Sequence, residues 1–469
     1  MLKLFKNFSY TIFSNLSNTL ISVLVIFIIP KVINQADYGM FQIFLFYFSY
    51  AGLLQLGWLD GIYLRYGGIY YKDINKNIFK GQFGLYSLFQ LVISTGIIIY
   101  SLVCIKGNFR NLAILIAIGV FSTNIKGFFQ FVLQLTNRIT SFAISNVITS
   151  VAYGLLVIVV LIIGIRNYTY FIWANIIGQI VAFIYGAYLC KDILLKKVKP
   201  EYSFDEVKEN ISSGIKISFA SIAGMLILGI VRLGVQKEWS VVTFGKVSLV
   251  LSICNLLMLF INAASLVLFP ILRRIKNKDM RKIYSSVNSF FLPFLYLLLI
   301  TYYPVRLIID AWLPKYQGTL IFMAFLFPLG LYQGKFEVMS TTFFKVWRME
   351  KDLMLVNIIS LIASAIFTLF FAIFLHNLSL SILSIIFTLA IRSFISDLVI
   401  LRKMNINLIK SFIEESLVAA VFIISNFIFK WYTSLLTYTI FILLVIFMER
   451  DNIKSGIKTV RQIDFNAIE

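Results

Sequence analysis

Six charged side chains fall inside hydrophobic stretches of this sequence: Lys126, Lys216, Arg232, Lys246, Lys335 and Glu337. Five of them are cations. A lysine at the centre of a bilayer costs roughly 2.5–3.5 kcal/mol even on mild insertion scales, so such residues face a protein interior or a watery cavity. A cationic cavity calls for an anionic occupant, and ammonium and guanidinium groups neutralise a phosphate or diphosphate at close range. Neutral polar groups accompany the cations. Ser14, Asn18 and Ser22 recur at i, i+4 and i+8, which makes one stripe along a helix, and Thr123 and Asn124 precede Lys126. Such groups suit sugar hydroxyls.

Each candidate also has a plainer reading. Lys126 lies too deep in its apolar stretch to reach headgroups easily, but it could pair with a buried acid such as Glu337. Arg232 and Lys216 sit near enough to span ends to snorkel. Lys246 opens its stretch after Phe244-Gly245. Lys335 and Glu337 are two positions apart and so point to different sides of a helix, which excludes a pair between them. Arg392 and Asp397 read as a structural pair or an inner-end anchor. Asp60 and Arg65 could gate the inner side or simply close a loop. Pro328, Gly330 and Gly334 share one span and are hinge candidates, since a proline inside a helix removes a backbone bond and kinks it. The polar stripe near the N-terminus could equally serve helix–helix packing.

The elements that carry these residues are membrane helices. The chain has 469 residues, 60% of them hydrophobic and 13% charged. A soluble domain is about half apolar and a quarter charged. Apolar runs long enough to cross a bilayer recur from end to end. In lipid every backbone group must be paired internally, and unbroken apolar runs without alternation select helices over a barrel. About fourteen spans are expected, at approximately 9–29, 40–59, 81–104, 112–135, 141–165, 168–190, 211–235, 241–269, 285–309, 319–344, 353–375, 379–401, 413–429 and 432–448. The first run has Asn15, Ser17 and Asn18 and no small-residue cleavage site, so a cleaved leader is not expected. Cys104, Cys190 and Cys254 are isolated, with no metal or redox spacing, and read as packing residues. His376 falls in a short connection.

Alternating the spans from an inside N-terminus places most Lys and Arg on one side. Lys191, Lys196, Lys197 and Lys199 share one inside segment, and Arg273, Arg274, Lys276, Lys278, Arg281 and Lys282 share another. That bias predicts an N-in, C-in orientation. The net charge of +21 then reflects orientation and anionic lipid, and no nucleic-acid motif accompanies it. The sequence also repeats. The turn Gln134-Leu135-Thr136-Asn137-Arg138, followed by Asn146, matches Lys345-Val346-Trp347-Arg348-Met349-Glu350-Lys351, followed by Asn357. In that register Lys126 falls opposite Glu337. The expected fold is an all-α polytopic membrane protein with two parallel six-helix lobes around a central cavity and a C-terminal helix pair. The divisions are 1–190, a cytoplasmic linker at 191–210, 211–402, and 403–469 with the last two spans and a tail.

Several local features resemble the polysaccharide (O-antigen, Wzx-type) flippase branch of the multidrug/oligosaccharidyl-lipid/polysaccharide (MOP) exporter superfamily. They are the opening Asn7-Phe8-Ser9-Tyr10 with its polar-striped helix, the loop Pro30-Lys31-Val32 to Asp37-Tyr38-Gly39-Met40-Phe41, the repeated turns, and the hairpin Trp312-Leu313-Pro314-Lys315-Tyr316. The resemblance covers nearly the whole chain. It implies a flippase in the bacterial cytoplasmic membrane that moves an undecaprenyl-diphosphate-linked oligosaccharide from the inner to the outer leaflet by alternating access. Polysaccharide polymerase or assembly proteins are possible partners. Lys126, Lys216, Arg232, Lys246, Lys335, Asn18 and Asn124 would hold substrate, with Glu337, Asp60, Arg65 and Pro328 in coupling or gating.

Lipid II is an alternative cargo, because it shares the diphosphate. A drug or cation antiporter would need deep acids, and Glu337 and Asp397 are the two expected. A membrane polysaccharide polymerase would need catalytic groups in long outer connections, which are short here, so no enzyme activity is expected. No phosphate-binding loop appears, no cofactor is expected, and coupling to H+ or Na+ is open.

Overall fold

The computed structural model describes the backbone of residues 2–195, 198–274, 277–404 and 409–461, and the side chains within these except 2–13, 259–260, 262–274, 277–280, 401, 404 and 459–461. Lys196, Lys197 and Lys276 lie outside the described residues. So do the side chains of Asn7-Phe8-Ser9-Tyr10, Arg273, Arg274 and Lys278.

Every described element is helical. In chain order they are α1 (Leu2–Val32), α2 (Gln35–Ser49), α3 (Trp58–Tyr66), α4 (Lys76–Cys104), α5 (Asn108–Leu135), α6 (Ile139–Ile162), α7 (Tyr168–Leu189), α8 (Lys191–Leu194), α9 (Phe204–Glu238) and α10 (Val241–Arg274). There follow α11 (Asn277–Leu298), α12 (Tyr302–Trp312), α13 (Leu320–Leu326), α14 (Leu329–Lys335), α15 (Thr342–Val346), α16 (Glu350–Thr368), α17 (Leu378–Met404), α18 (Ile409–Ile428), α19 (Trp431–Met448) and α20 (Arg450–Arg461). Among the described residues thirteen segments are long and apolar enough to cross a membrane, and a bent pair, counted as one span, makes a fourteenth. The protein is a multi-pass integral membrane protein. Large apolar side chains such as Val103, Ile162, Phe374 and Met448 stand exposed, as lipid-facing positions do when the solvent is hydrocarbon.

The helices begin where the sequence provides caps. Asn34 accepts the Asp37 N–H at 2.8 Å to start α2, and Asn75 and Asn167 do the same for α4 and α7. The chain divides into two compact units, Met1–Ile222 and Ala223–Glu469, with the boundary inside α9.

Two spans depart from straight rods. The second, expected as one run at 40–59, is α2, a 3-10 turn over Ala51–Gln55, and α3, bent by 54°. The bend falls at Leu56 and Gly57, both with positive φ. Gly57 and Gly61, spaced as a Gly-x-x-x-Gly pair, meet α9 at Gly214 and Asn210. A Cβ on Gly61 would lie 1.7 Å from the Asn210 carbonyl oxygen, so only glycine permits this backbone-to-backbone approach. The tenth span runs over Pro314–Val346 and is broken after α13 at Phe327-Pro328, where the ring removes a donor. A π-helical turn over Phe336–Thr341 separates α14 from α15. This is the most enclosed span, with 78% of its apolar stretch buried.

The expected linker at 191–210 holds α8 and the start of α9 and is fastened to α4. The Lys80 ammonium donates to the carbonyls of Leu195 at 2.8 Å and Val198 at 2.9 Å, and Glu201 N–H donates to Asn77 at 3.0 Å.

The internal repeat is legible in the backbone. Asn137 (φ 56°) and Arg348 (φ 55°) both close a helix in the left-handed region. Arg138 N–H reaches the Leu133 carbonyl at 2.8 Å, and Met349 N–H reaches Phe344 at 2.8 Å. Each is the six-to-one bond of a Schellman cap. The register that pairs Asn137 with Arg348 also pairs Lys126 with Glu337, Asn146 with Asn357, and Asn124 with Lys335.

Candidate functional site

The densest buried polar chemistry lies in the second unit, around the tenth span. Lys335 ends α14 with 1% of its surface exposed. Its ammonium donates to Asp397 of α17 and to Glu415 of α18. Both carboxylates are buried, at 3% and 0% exposure. Ser393 donates to the second oxygen of Glu415 at 3.5 Å. Three helices thus converge on one ion cluster. The sequence reading missed Glu415. It stands at the margin of an apolar run, where an acid looks like a solvated end residue. Lys335 is therefore not a cation awaiting an external anion: two internal carboxylates already hold it.

One helical turn away a second network forms. Arg392 of α17, 4% exposed, donates to Asn357 Oδ1 from Nε at 3.1 Å and Nη2 at 2.7 Å, and to Gln333 Oε1 at 3.1 Å. Its guanidinium stacks on Phe336, 3.6 Å from the ring centroid. Such a stack gains most where water is absent. Gln333 passes the chain on, donating to Glu337 at 3.1 Å. The expected Arg392–Asp397 pair does not form. The two point apart, one to amides and one to Lys335, and Arg392 makes no ion pair among the described residues. Glu337 and Lys335 do not meet each other either, as their spacing requires.

Other candidates in the second unit are dispersed. Arg232 donates to Ser248 at 3.0 Å and lies over Phe244, which ties the end of α9 to α10. Lys246 is half-buried. Pro328 is buried at the break between α13 and α14. An apolar groove of about 500 Å³ lies beside the ion cluster, walled by α17 and α18 through Phe387, Ile391, Phe394, Phe412, Ala420 and Ile424.

In the first unit Lys126 stands on α5, half-buried, with no hydrogen bond or ion pair among the described residues. Asn124 is fully engaged. It donates to the Ala51 carbonyl at 3.1 Å and to Gln90 at 2.8 Å, and it accepts from Gln55 at 2.8 Å. It braces the 3-10 turn of the second span. Asn18 accepts from Ser150 of α6, so the polar stripe of α1 faces a packed helix at that position. Asp60 accepts from Ser218. Arg65 binds Glu206 at 2.7 Å, Glu209 at 2.6 Å and Asn210 at 2.8 Å. Both Asp60 and Arg65 belong to the clasp that holds the start of α9 on α3, alongside the glycine contact. Lys216, on the same stretch of α9, is exposed. The structure brings Asp60 and Arg65 together on one element and places Asn124 near Lys126. It does not gather the remaining candidates within either unit.

The fold as a whole finds counterparts among solved proteins. One match is the lipid II flippase MurJ in an inward closed conformation, with a TM-score of 0.65 and 15% identity over 95% of this chain and 99% of that one. Another is an inward-facing multidrug resistance MATE family transporter of the MOP superfamily, with a TM-score of 0.61 and 14% identity over 84% of this chain and 94% of that one. The chain shares its fold with these transporters. No family model matches the sequence, and no curated protein does.

Cys190 and Cys254 are buried free thiols, Cys104 is exposed, and none adjoins the polar networks. His376 stacks on Trp239, with ring centroids 4.8 Å apart, just beyond the C-terminal end of α9.

Proposed function

We propose that the protein moves an undecaprenyl-diphosphate-linked oligosaccharide from the inner to the outer leaflet of a bacterial cytoplasmic membrane by alternating access, with an N-in, C-in orientation. The observation that carries this reading is Lys126. It is a cation at membrane depth, half-buried, with no internal counter-charge among the described residues. A charged lysine in that position is costly unless an anion visits it. The diphosphate of a lipid-linked glycan is such an anion, and it cannot cross hydrocarbon unaided. The exposed Lys216, on the stretch of α9 that belongs to the same unit, is a further contact for it. The likeness to a lipid II flippase supports a lipid-linked cargo.

The test is glycan-lipid flipping in proteoliposomes. Wild type is expected to flip, and Lys126→Ala to lose about tenfold or more in rate, the worth of one charge-assisted contact, with insertion and melting unchanged. Retained flipping assigns Lys126 a packing role. A second reading, export of a cation or drug, gains from Glu415, which adds a deep acid to Glu337 and Asp397. Wild type that flips no diphosphate-linked lipid but exports a small cation would favour it.

A further inference from the structure

The cluster of Lys335, Asp397 and Glu415 does not balance. One ammonium faces two carboxylates, and all three are at most 3% exposed. With every group ionised the cluster carries one net negative charge in a membrane-embedded interior, which costs several kcal/mol and is relieved when a group changes protonation state. Among the described residues the surroundings offer no second cation. From α11, the Tyr284 hydroxyl lies close to Asp397 and Glu415, and Tyr296 lies close to Glu415. From α14, Tyr332 lies beside Glu415. Arg392 is turned to Asn357 and Gln333. Lys410 is mostly exposed and binds Glu449 at 2.5 Å, with Glu414 at 3.9 Å. Among the described residues only Lys335 pairs with either acid of the cluster. Two polar atoms there make no hydrogen bond of regular geometry: Asp397 Oδ1 and the Tyr284 hydroxyl, both fully enclosed.

We propose that Asp397 and Glu415 together hold one exchangeable proton, making this cluster a proton-binding site of the second half. Lys335 keeps one carboxylate ionised, and the proton resides on the other. The Tyr284 hydroxyl faces Asp397, where it can donate to the carboxylate or accept from the carboxyl proton. Two like charges sharing a site do not both ionise readily, which is the condition for a proton that comes and goes near neutral pH. Glu415 comes from α18, so the C-terminal hairpin becomes part of the site rather than an appendage.

The experiment is infrared difference spectroscopy of the purified, lipid-reconstituted full chain, titrated with pH in sodium-free buffer. The expected result is a protonated-carboxyl band that shifts in D2O, is lost as pH rises, and disappears in Asp397→Asn or Glu415→Gln. Either amide leaves Lys335 one carboxylate, so both variants are expected to fold, and melting temperature checks this. Should one fail to fold, the other carries the test, since either substitution alone is expected to abolish the band. Absence of any protonated-carboxyl band in wild type overturns the proposal, and so does a band that survives both amides. If sodium alone raises the melting temperature of wild type saturably, and not that of Glu415→Gln, the bound cation is sodium, which also overturns it. The readout needs no substrate, so its failure and the failure of the flipping reading are separate results.

Discussion

The two halves of the chain repeat one backbone plan and fill it with different chemistry. At one matched pair of positions the first half has Asn124 and the second has Lys335. Asn124 satisfies three neutral hydrogen bonds with Gln55, Gln90 and the Ala51 carbonyl. Lys335 sits between two carboxylates. Another matched pair is Gly186 and Asp397. Gly186 lets α7 lie directly on Phe129, where a Cβ would come within 2.9 Å of the Phe129 Cβ. The second half has Ser340 in place of that phenylalanine, and Ser340 and Ser396 bond at 2.9 Å beside Asp397. Small polar residues thus make room for an acid where the first half is closed by a ring on a glycine. Glu415 comes from α18, which has no counterpart in the first half. A neutral brace needs two helices and a turn, whereas an ion cluster needs a third helix to complete it.

That difference predicts the largest effect. Lys335→Met leaves two buried carboxylates facing each other and is expected to cost about 3–5 kcal/mol of stability. Asn124→Ala, at the matched position, leaves neutral amides unpaired and is expected to cost about 1–3 kcal/mol. Denaturant unfolding in detergent, followed by tryptophan fluorescence, compares them. Equal costs would break the distinction between brace and cluster. Replacing Lys335, Asp397 and Glu415 together by apolar residues of similar volume is expected to recover most of the loss, because a buried ion group stabilises little over a packed core.

A smaller contrast lies at the matched asparagines. Among the described residues the Asn146 side chain accepts only from Gln130, at 2.9 Å. Asn357 accepts two bonds from the Arg392 guanidinium. Asn357→Ala is therefore expected to cost about 2–3 kcal/mol, since bonds to a buried charge are worth more, and Asn146→Ala about 1 kcal/mol. Asn357→Asp sharpens the comparison. It gives Arg392 a carboxylate partner and is expected to be milder than alanine, as melting temperatures of the three variants would show. An alanine cost no larger at Asn357 than at Asn146 would mean that Arg392 is held by its stack on Phe336 and its bond to Gln333.

How much of the molecule is readable from sequence follows from the range of each signal. Helix type and span number come from local hydropathy, and both match the structure, with the second span's bend as the main departure. The bend depends on Leu56 and Gly57 adopting positive φ and on contacts with α9, more than a hundred residues away in sequence, so no local pattern announces it. Lys335 is legible as a deep charge, but its partners are 62 and 80 positions away. Glu415 is obscured because Glu414 beside it is a plausible end-of-helix acid, and only the burial of one neighbour and not the other separates them. Asn124 resembles a sugar-binding amide because residue type alone does not reveal that its bonds are taken. Lys126 is legible as a depth signal and remains without an internal partner among the described residues.

The smallest effect tests what the halves have in common. Both helix-closing turns place a non-glycine residue in the left-handed region, at Asn137 and Arg348. Asparagine visits that region more readily than other branched or long side chains, because its short polar group bonds locally. Arginine has no such compensation and bears the Cβ strain in full, of order 1–2 kcal/mol. Glycine removes the strain but adds freedom to the unfolded chain. The balance is expected to favour Arg348→Gly by about 0.5–1 kcal/mol and to leave Asn137→Gly within about 0.5 kcal/mol of wild type. Melting temperatures of the two variants, measured side by side, check it. If both variants gain equally, the two turns are strained alike and residue type does not distinguish them. If Arg348→Gly loses stability, the side chain of Arg348 makes an interaction at its turn that outweighs its backbone cost, and the repeat would differ even where its backbone is the same.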